Sequence, residues 1–575
     1  MKKLLKFLKG YYKESFLAPA FKCLEAIFEL LVPLAVAQIV DVGIRQENSS
    51  RIFQMCGVMV ALGVIGLICA ISAQFFAARA AVGFSRKLRS ALFAHIQTFD
   101  YTVTDQIGTS TLITRMTGDV NSVQTGINMF LRLFMRSPFI VFGAMIMAFT
   151  IDVKLALIFA VAIPLLALVV FGIMLITIPI YKRSQGALDQ IVGKVRGNYN
   201  GTRVIRAFNK EEDEIREFDQ RNHALTKIQR FAGGVSALMN PLTYVIINLA
   251  VIVLIDRGAV TVQSGALTQG ELIALYNYMS QILVELIKLA SLIITLNKAA
   301  ASAHRISAVL DTCPSTQKKT EEKECERNCA VVFDRVSFRY HENGDEALSD
   351  VSFYANEGEL VGVIGGTGSG KTTLANLIPG LYLPDSGSVY IDGIHTADYD
   401  KQQLVRQFGI VPQKAVLFEG TVRSNLLWGR EDAEDEELWD ALELAQAKEF
   451  VQQKDGGLDE PVLQGGNNFS GGQKQRLTIA RALVRRPRFL ILDDSASALD
   501  YATEAQLRAS ISRLPYKPTV FIISQRTSSI MHADRILVLD DGCIVGIGTH
   551  GQLLQSCEVY REIYRSQFPE GGESE

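Results

Sequence analysis

The sequence predicts a membrane α-helical bundle, six transmembrane helices with long cytoplasmic extensions, fused to an α/β P-loop domain. Three observations carry that prediction. Apolar residues make up 48% of the 575 residues and mean hydropathy is positive while 21% of residues are charged, so the apolar residues must be gathered in one part of the chain. They form six long runs in the N-terminal half. The C-terminal half carries a glycine-rich phosphate loop between an apolar strand and a helix. The expected boundaries are a transmembrane domain over 1–310, a linker over 311–330 and a second, α/β domain over 331–575.

The runs lie at about Phe16 to Ile44, Phe53 to Val82, Ile127 to Ile151, Leu155 to Tyr181, Val235 to Ile255 and Leu272 to Leu296. Each reaches or exceeds the ~20 residues that a helix needs to cross a bilayer. A soluble core imitates one such run, not six in succession. Basic residues set the orientation: Lys2, Lys3, Lys6, Lys9 and Lys13 precede the first span, and Arg86, Lys87, Arg89, Arg115, then Lys182, Arg183, Lys194, Arg196, Arg203, Arg206 and Lys210 fill the long segments after spans two and four. The positive-inside rule places both termini and both long segments in the cytoplasm. Met1 to Glu14 interleaves Leu4, Leu5, Phe7, Leu8 and Tyr11 with lysines and predicts an interfacial helix on the inner leaflet. It lacks the order of a cleaved signal peptide or transit signal, which points to a bacterial cytoplasmic membrane.

Ser85 to Gln97 and Gln185 to Arg230 read as polar or amphipathic helices continuing the spans into the cytoplasm, interrupted near Gly108 and Gly201. Polar residues inside the spans are candidates for lining a pathway, because ionisable groups at membrane depth are costly. They are Glu25 and Glu29 on the first span, Asn240, Tyr244 and Asn248 on the fifth, and Tyr276, Asn277, Gln281, Glu285 and Lys288 on the sixth. Glu285 and Lys288 are also spaced to pair with each other, and Asn240 and Asn248 to bond between helices. Asp311 to Asn328 is a polar linker with Pro314. Its Cys313 and Cys325, with Cys329 just after it, lack the spacing and histidines of a zinc site, and the chain's eight cysteines read as free thiols. The balanced charge leaves no surface for nucleic acid.

Gly365-Gly366-Thr367-Gly368-Ser369-Gly370-Lys371-Thr372 fits the phosphate-loop spacing, follows the apolar run Leu360 to Ile364 and precedes the helix-forming Thr373 to Ile378. Glycines let backbone N–H groups converge on phosphate oxygens, Lys371 reaches the β- and γ-phosphates as a point charge, and the Thr372 hydroxyl is a magnesium ligand. The expected cofactors are ATP and Mg2+. Asp493 closes the apolar strand Phe489 to Leu492, where it is placed to hold the same ion, and Asp494 follows it.

Downstream and upstream motifs extend the pattern: Phe469-Ser470-Gly471-Gly472-Gln473 before a basic helix, Gln413 in Ile410-Val411-Pro412-Gln413, and Ser497-Ala498-Leu499-Asp500. From about Val331 onward the chain resembles the ATP-binding cassette (ABC) family, whose signature, Q-loop, Walker B strand and D-loop these are. The resemblance implies that Tyr340 stacks on adenine and that Gln413 senses magnesium and the attacking water. It also implies that Ser470, Gly471, Gly472 and Gln473 face a nucleotide held by a second subunit, with Asp500 communicating across the dimer. The long cytoplasmic segments resemble exporter loops ending in coupling helices, expected near Asp100 to Gly108 and Thr202 to Glu212. Phe418 is then either a receptor for such a helix or a core aromatic.

Two positions depart from the family pattern. Efficient members carry Glu after the Walker B aspartate and His in the switch loop; this chain has Asp494 and, in Phe521-Ile522-Ile523-Ser524-Gln525-Arg526, Gln525. Asp is a methylene shorter than Glu, and Gln cannot accept and return a proton. The combination resembles the degenerate-site subunit of a heterodimeric bacterial multidrug-type exporter. It implies a second half-transporter as partner, with a homodimer as the alternative. The expected function is ATP-driven export of a small amphipathic substrate, the alternatives being a dedicated lipid or peptide exporter or an ATP-gated channel or regulatory subunit. The lack of a soluble domain before the first span argues against processing of leader peptides.

Overall fold

The computed structural model describes residues 2–312, 329–341 and 344–568. Most of the expected linker, with Cys313 and Cys325, lies outside the described residues. The chain divides into two compact units, one of Met1–Thr98 with Gly108–Thr312, the other of Phe99–Ile107 with Cys313–Glu575.

In the first unit six helices among the described residues are long and apolar enough to cross a membrane: Tyr12–Ile44, Ser49–Ile96, Thr109–Ile151, Val153–Asn200, Glu211–Gln263 and Gln269–Asp311. Side-chain caps start three of them, with Asn48 accepting from Arg51 N, Asp152 from Leu155 N, and Thr268 forming a capping box with Glu271. The helices overrun the apolar runs because the polar continuations of the second and fourth carry no proline. The second has no proline and stops only at Ile96. Gly108, at φ +81°, and Gly201 provide the breaks expected from the sequence.

Small residues bring the spans together. Ala18 of the first span and Ala77 and Ala80 of the second are wholly buried, and a Cβ on Gly126 would overlap Ala299 of the sixth span. The sixth span is also tied to the first by polar bonds: Asp41 accepts from Gly270 N at 2.8 Å and Thr268 Oγ1 at 2.6 Å, and Tyr278 donates to Leu30 O at 2.7 Å. Lys2–Leu8 is a short 3-10 helix whose Leu4 is buried and whose Phe7 packs edge-on against Phe84 of the second span, so part of its apolar surface faces protein.

Among the described residues the second unit has twelve strands: β1 Val331–Phe338, β2 Leu348–Ala355, β3 Leu360–Gly365, β4 Ser386–Ile391, β5 Ile394–His395, β6 Phe408–Val411, β7 Gly420–Thr421, β8 Pro461–Val462, β9 Phe489–Asp493, β10 Thr519–Ile523, β11 Arg535–Asp540 and β12 Cys543–Gly548. They make a six-stranded sheet in the order β12-β11-β3-β10-β9-β6, a four-stranded sheet in the order β2-β1-β4-β5 and the pair β7-β8. Strands β6, β9, β10, β3 and β11 run parallel; β9 is buried along its whole length and β11 from Ile536 to Leu539. Helices on both faces bury such strands, which explains their unbroken Val, Ile and Leu content.

Candidate functional site

Parallel pairing aligns the carboxyl ends of three neighbouring strands. Ile523 at the end of β10 lies opposite Asp493 on β9 and Val363 on β3, so the phosphate loop after β3, Asp494 after β9 and Gln525 after β10 open at one edge of the sheet. Ligands of open parallel sheets bind at that edge. A cleft of about 330 Å³ lies there, lined by Tyr340, Thr367 to Thr373, Gln413, Asp493, Asp494, Ser524 and Gln525.

The loop conformation depends on glycine at two places. Gly368 and Gly370 have φ +85° and +95°, and at Gly370 a Cβ would stand 2.5 Å from Ala347 O. Lys371 is buried, and its Nζ donates to the carbonyls of Gly365 at 2.9 Å and Gly366 at 2.5 Å and to Ser369 Oγ at 3.3 Å. Burial pulls its pKa down, and the charges of Asp494 and Asp493 act the other way. Thr372 Oγ1 donates to Asp493 Oδ1 at 3.2 Å, and Gln413 Nε2 to Asp494 Oδ2 at 3.4 Å. This set of hard oxygen donors suits Mg2+, which takes one or two carboxylates and completes its shell with water and phosphate.

The two aspartates are held differently. Asp493 is buried and Asp494 half-buried, and burial pushes both carboxyls above the ordinary range, aided at Asp493 by its neighbour's charge. Asp494 has φ +45°, a left-handed conformation that Asp and Asn tolerate better than most residues. Its amide donates to Ile523 O at 2.9 Å, and its carbonyl accepts from Ser497 Oγ at 2.8 Å. Tyr340 joins the cleft wall, its hydroxyl 3.1 Å from Thr373 Oγ1 and its ring edge-on to Phe338 and Tyr382.

Ser470, Gly471, Gly472, Gln473 and Asp500 do not line this cleft. Ser470 is exposed and caps the helix Gly471–Val484 through a capping box with Gln473. Asp500, also exposed, caps Tyr501–Ser512 by accepting from Thr503 N at 2.8 Å and Thr503 Oγ1 at 2.9 Å.

Sequence reasoning missed three residues. Gln567, on the last helix, donates from Nε2 to Gln525 O at 2.7 Å and accepts from Thr527 N at 2.7 Å. Tyr382 receives the short helix Tyr101–Ile107, its hydroxyl donating to Asp105 Oδ2 at 2.5 Å and its ring 5.8 Å from that of Tyr101, whereas Phe418 is stacked on Trp428. Nothing local in the sequence marks these two. The third, Arg136, was legible as a cation inside an apolar run. It bonds Glu285 and Glu29, each at 2.6 Å, while Glu25 pairs with Lys22 at 2.6 Å and Lys288 with Glu285 at 2.8 Å. The spacing-based pairing of Glu285 with Lys288 is therefore present, within a larger network.

A membrane bundle fused to a phosphate-loop domain with this strand order defines an ATP-driven membrane transporter. Residues 15–286 match the ABC transporter transmembrane region, and residues 348–497 match the ABC transporter domain. The chain is 38% identical to the uncharacterized ABC transporter ATP-binding protein YfiB of Bacillus subtilis over 100% of both chains. It is 32% identical to the putative multidrug export ATP-binding/permease protein YgaD of the same organism over 99% of each. In fold it is similar to a bacterial Atm1-family ABC exporter solved with ATP bound, with a TM-score of 0.80 over 99% of both chains at 23% identity. The chain belongs to the ABC transporter family. It is a half-transporter with one transmembrane region and one ATPase domain, a multi-pass membrane protein of a class that works as dimers and couples ATP hydrolysis to transport.

Proposed function

We propose that this chain is the slow-site subunit of a heterodimeric exporter of amphipathic compounds in a bacterial cytoplasmic membrane, with both termini in the cytoplasm. The observation that carries the reading is the pair Asp494 and Gln525 at one cleft. Neither the shorter carboxylate nor the amide is suited to activate water, although the phosphate loop, Thr372 and Asp493 keep the chemistry for holding nucleotide. Bound Mg2+ would neutralise phosphate charge; Thr372, Asp493 and Gln413 are the residues to hold it. Lys371 holds the β- and γ-phosphates, and Tyr340 offers its ring to the base.

The exposed Ser470 at a helix N-terminus, with Gly471 and Gly472, supports a role on the partner's nucleotide, completing a competent site there. ATP at both interfaces closes the ATPase domains. Helix Tyr101–Ile107 passes that closure to the membrane helices, which turn from inward to outward facing, and hydrolysis at the partner's site resets them. The relative YgaD, named as a putative multidrug exporter, supports the substrate class. A second reading, dedicated peptide export, is favoured by the charged network around Arg136.

Inside-out vesicles carrying the complex test the reading. ATP-dependent uptake of a lipophilic dye is expected to survive Asp494→Asn and to vanish with the matching change in the partner. Loss of uptake on Asp494→Asn alone would contradict it.

A further inference from the structure

The charges of the network compensate one another within the spans. Lys22, Arg136 and Lys288 face Glu25, Glu29 and Glu285, three cations to three carboxylates. Glu285 is the fixed centre: 3% exposed, it accepts from Arg136, Lys288 and, at 2.8 Å, Ser137. At either end of the network one charge reaches open space. The Glu29 side chain is 39% exposed and the Lys288 side chain 42%, and both line a cavity of about 250 Å³.

Besides those two charges the wall carries two amides, Asn277 and Gln281, with Ser280, Val284 and Glu285. Asn277, Gln281, Val284 and Lys288 recur at spacings of four, three and four, one face of the sixth span, and all four line the cavity. Gln281 Oε1 is buried with no hydrogen-bond partner, an acceptor whose desolvation is uncompensated. Glu29 gives one oxygen to Arg136, and Lys288 one donor to Glu285. Each therefore keeps capacity toward the cavity.

We propose that this cavity is a subsite for a ligand with an ammonium and an acid group joined by amides, that is, a short peptide with free termini. The ammonium pairs with Glu29, the acid group with Lys288, and an amide N–H of the ligand donates to Gln281 Oε1. A lipophilic cation fits less well, because an electroneutral network offers it no net attraction and its binding would leave the Lys288 ammonium unanswered. The proposal rests on the export reading and narrows its substrate class.

The test uses the transporter purified with its partner and reconstituted in nanodiscs. Four forms of one apolar tetrapeptide serve as probes: free termini, N-acetylated, C-amidated, and both. The zwitterion is expected to bind about ten-fold or more tightly than any capped form. Glu29→Gln should remove the discrimination against the N-acetyl form only, and Lys288→Met that against the C-amide only, with Glu29→Asp and Lys288→Arg restoring part of each. The wild-type comparison needs no variant and so does not depend on any variant folding. Equal binding of all four forms overturns the proposal. So does competition by phosphatidylethanolamine in the nanodisc without peptide selectivity, which would assign the same charges to a lipid headgroup. ATP-dependent dye uptake in vesicles is read in parallel: if it persists while peptide selectivity is absent, this subsite fails and the export reading stands.

Discussion

The side chain of Gln567 holds the backbone on both sides of Arg526: its amide nitrogen donates to Gln525 O and its amide oxygen accepts from Thr527 N, both at 2.7 Å. The last helix, Glu558–Gln567, anchored by wholly buried Tyr560, therefore fixes the loop that presents Gln525 to the cleft. Gln567→Leu removes these two bonds and a third, from Thr527 Oγ1 at 3.0 Å, and is expected to loosen the loop by about 1–2 kcal/mol. Hydrogen exchange should report it: the Thr527 amide should exchange roughly ten-fold faster while the strand amides of β10 stay protected. Unchanged exchange at Thr527 would show that the helix does not hold the loop.

Restoring the family residues should raise hydrolysis at this chain's own site. Asp494→Glu with Gln525→His is expected to increase single-turnover hydrolysis there by about ten- to a hundred-fold, part of what a positioned base contributes. The gain should be partial, because Asp494 has φ +45° and a longer side chain is less at ease in the left-handed region. Rapid-quench measurement with the partner's site disabled isolates the step.

Proton binding at the two aspartates has a definite sign. Both carboxyls sit above their ordinary range, burial being the larger cause, so the folded chain binds more protons than the unfolded one in the window from the ordinary carboxylate range up to the raised values. Stability of the nucleotide-free domain is then expected to fall as pH rises through that window and to level off above it. Magnesium-dependent ATP binding should rise across the same window, since the ion requires the ionised carboxylate. Asp493→Asn should remove its own share of the stability dependence and leave that of Asp494, and should flatten the magnesium-dependent rise, as read by thermal unfolding and by nucleotide titration at a series of pH values.

Tyr382 and Asp105 join the short helix Tyr101–Ile107 to the ATPase domain. Burial and the nearby Asp105 carboxylate raise the Tyr382 hydroxyl far above the usual phenol range, so it stays a donor at every physiological pH. Tyr382→Phe is expected to lower the ratio of transport to ATP hydrolysis several-fold and to leave ATP affinity within about two-fold. An unchanged ratio would remove this contact from the coupling path.

Legibility in the sequence followed the range of the interactions. The six spans announce themselves because a membrane helix must be apolar over its whole crossing length, and the phosphate loop because its glycines, Lys371 and Thr372 are adjacent in the chain. The cleft's far wall was legible only through resemblance, since Tyr340, Gln413 and Gln525 carry no local signal of their own. Where three-dimensional placement decides the role, the sequence was silent. Gln567 is 42 residues from the carbonyl it holds, and Asp105 is 277 residues from Tyr382. Arg136 stood in plain view within an apolar run, and only the fold supplied its partners. The N-terminal segment shows the converse: an amphipathic pattern suited to the bilayer surface is partly satisfied by Phe84.

A slow site paired with a competent one requires two different chains, and the native mass of the complex carrying this chain, purified by a tag from its own membrane, reads that directly. One copy bound to a different half-transporter of similar size is expected, with Glu and His at the positions of Asp494 and Gln525. Two copies of this chain alone would contradict it, because Asp494 and Gln525 would then serve both sites.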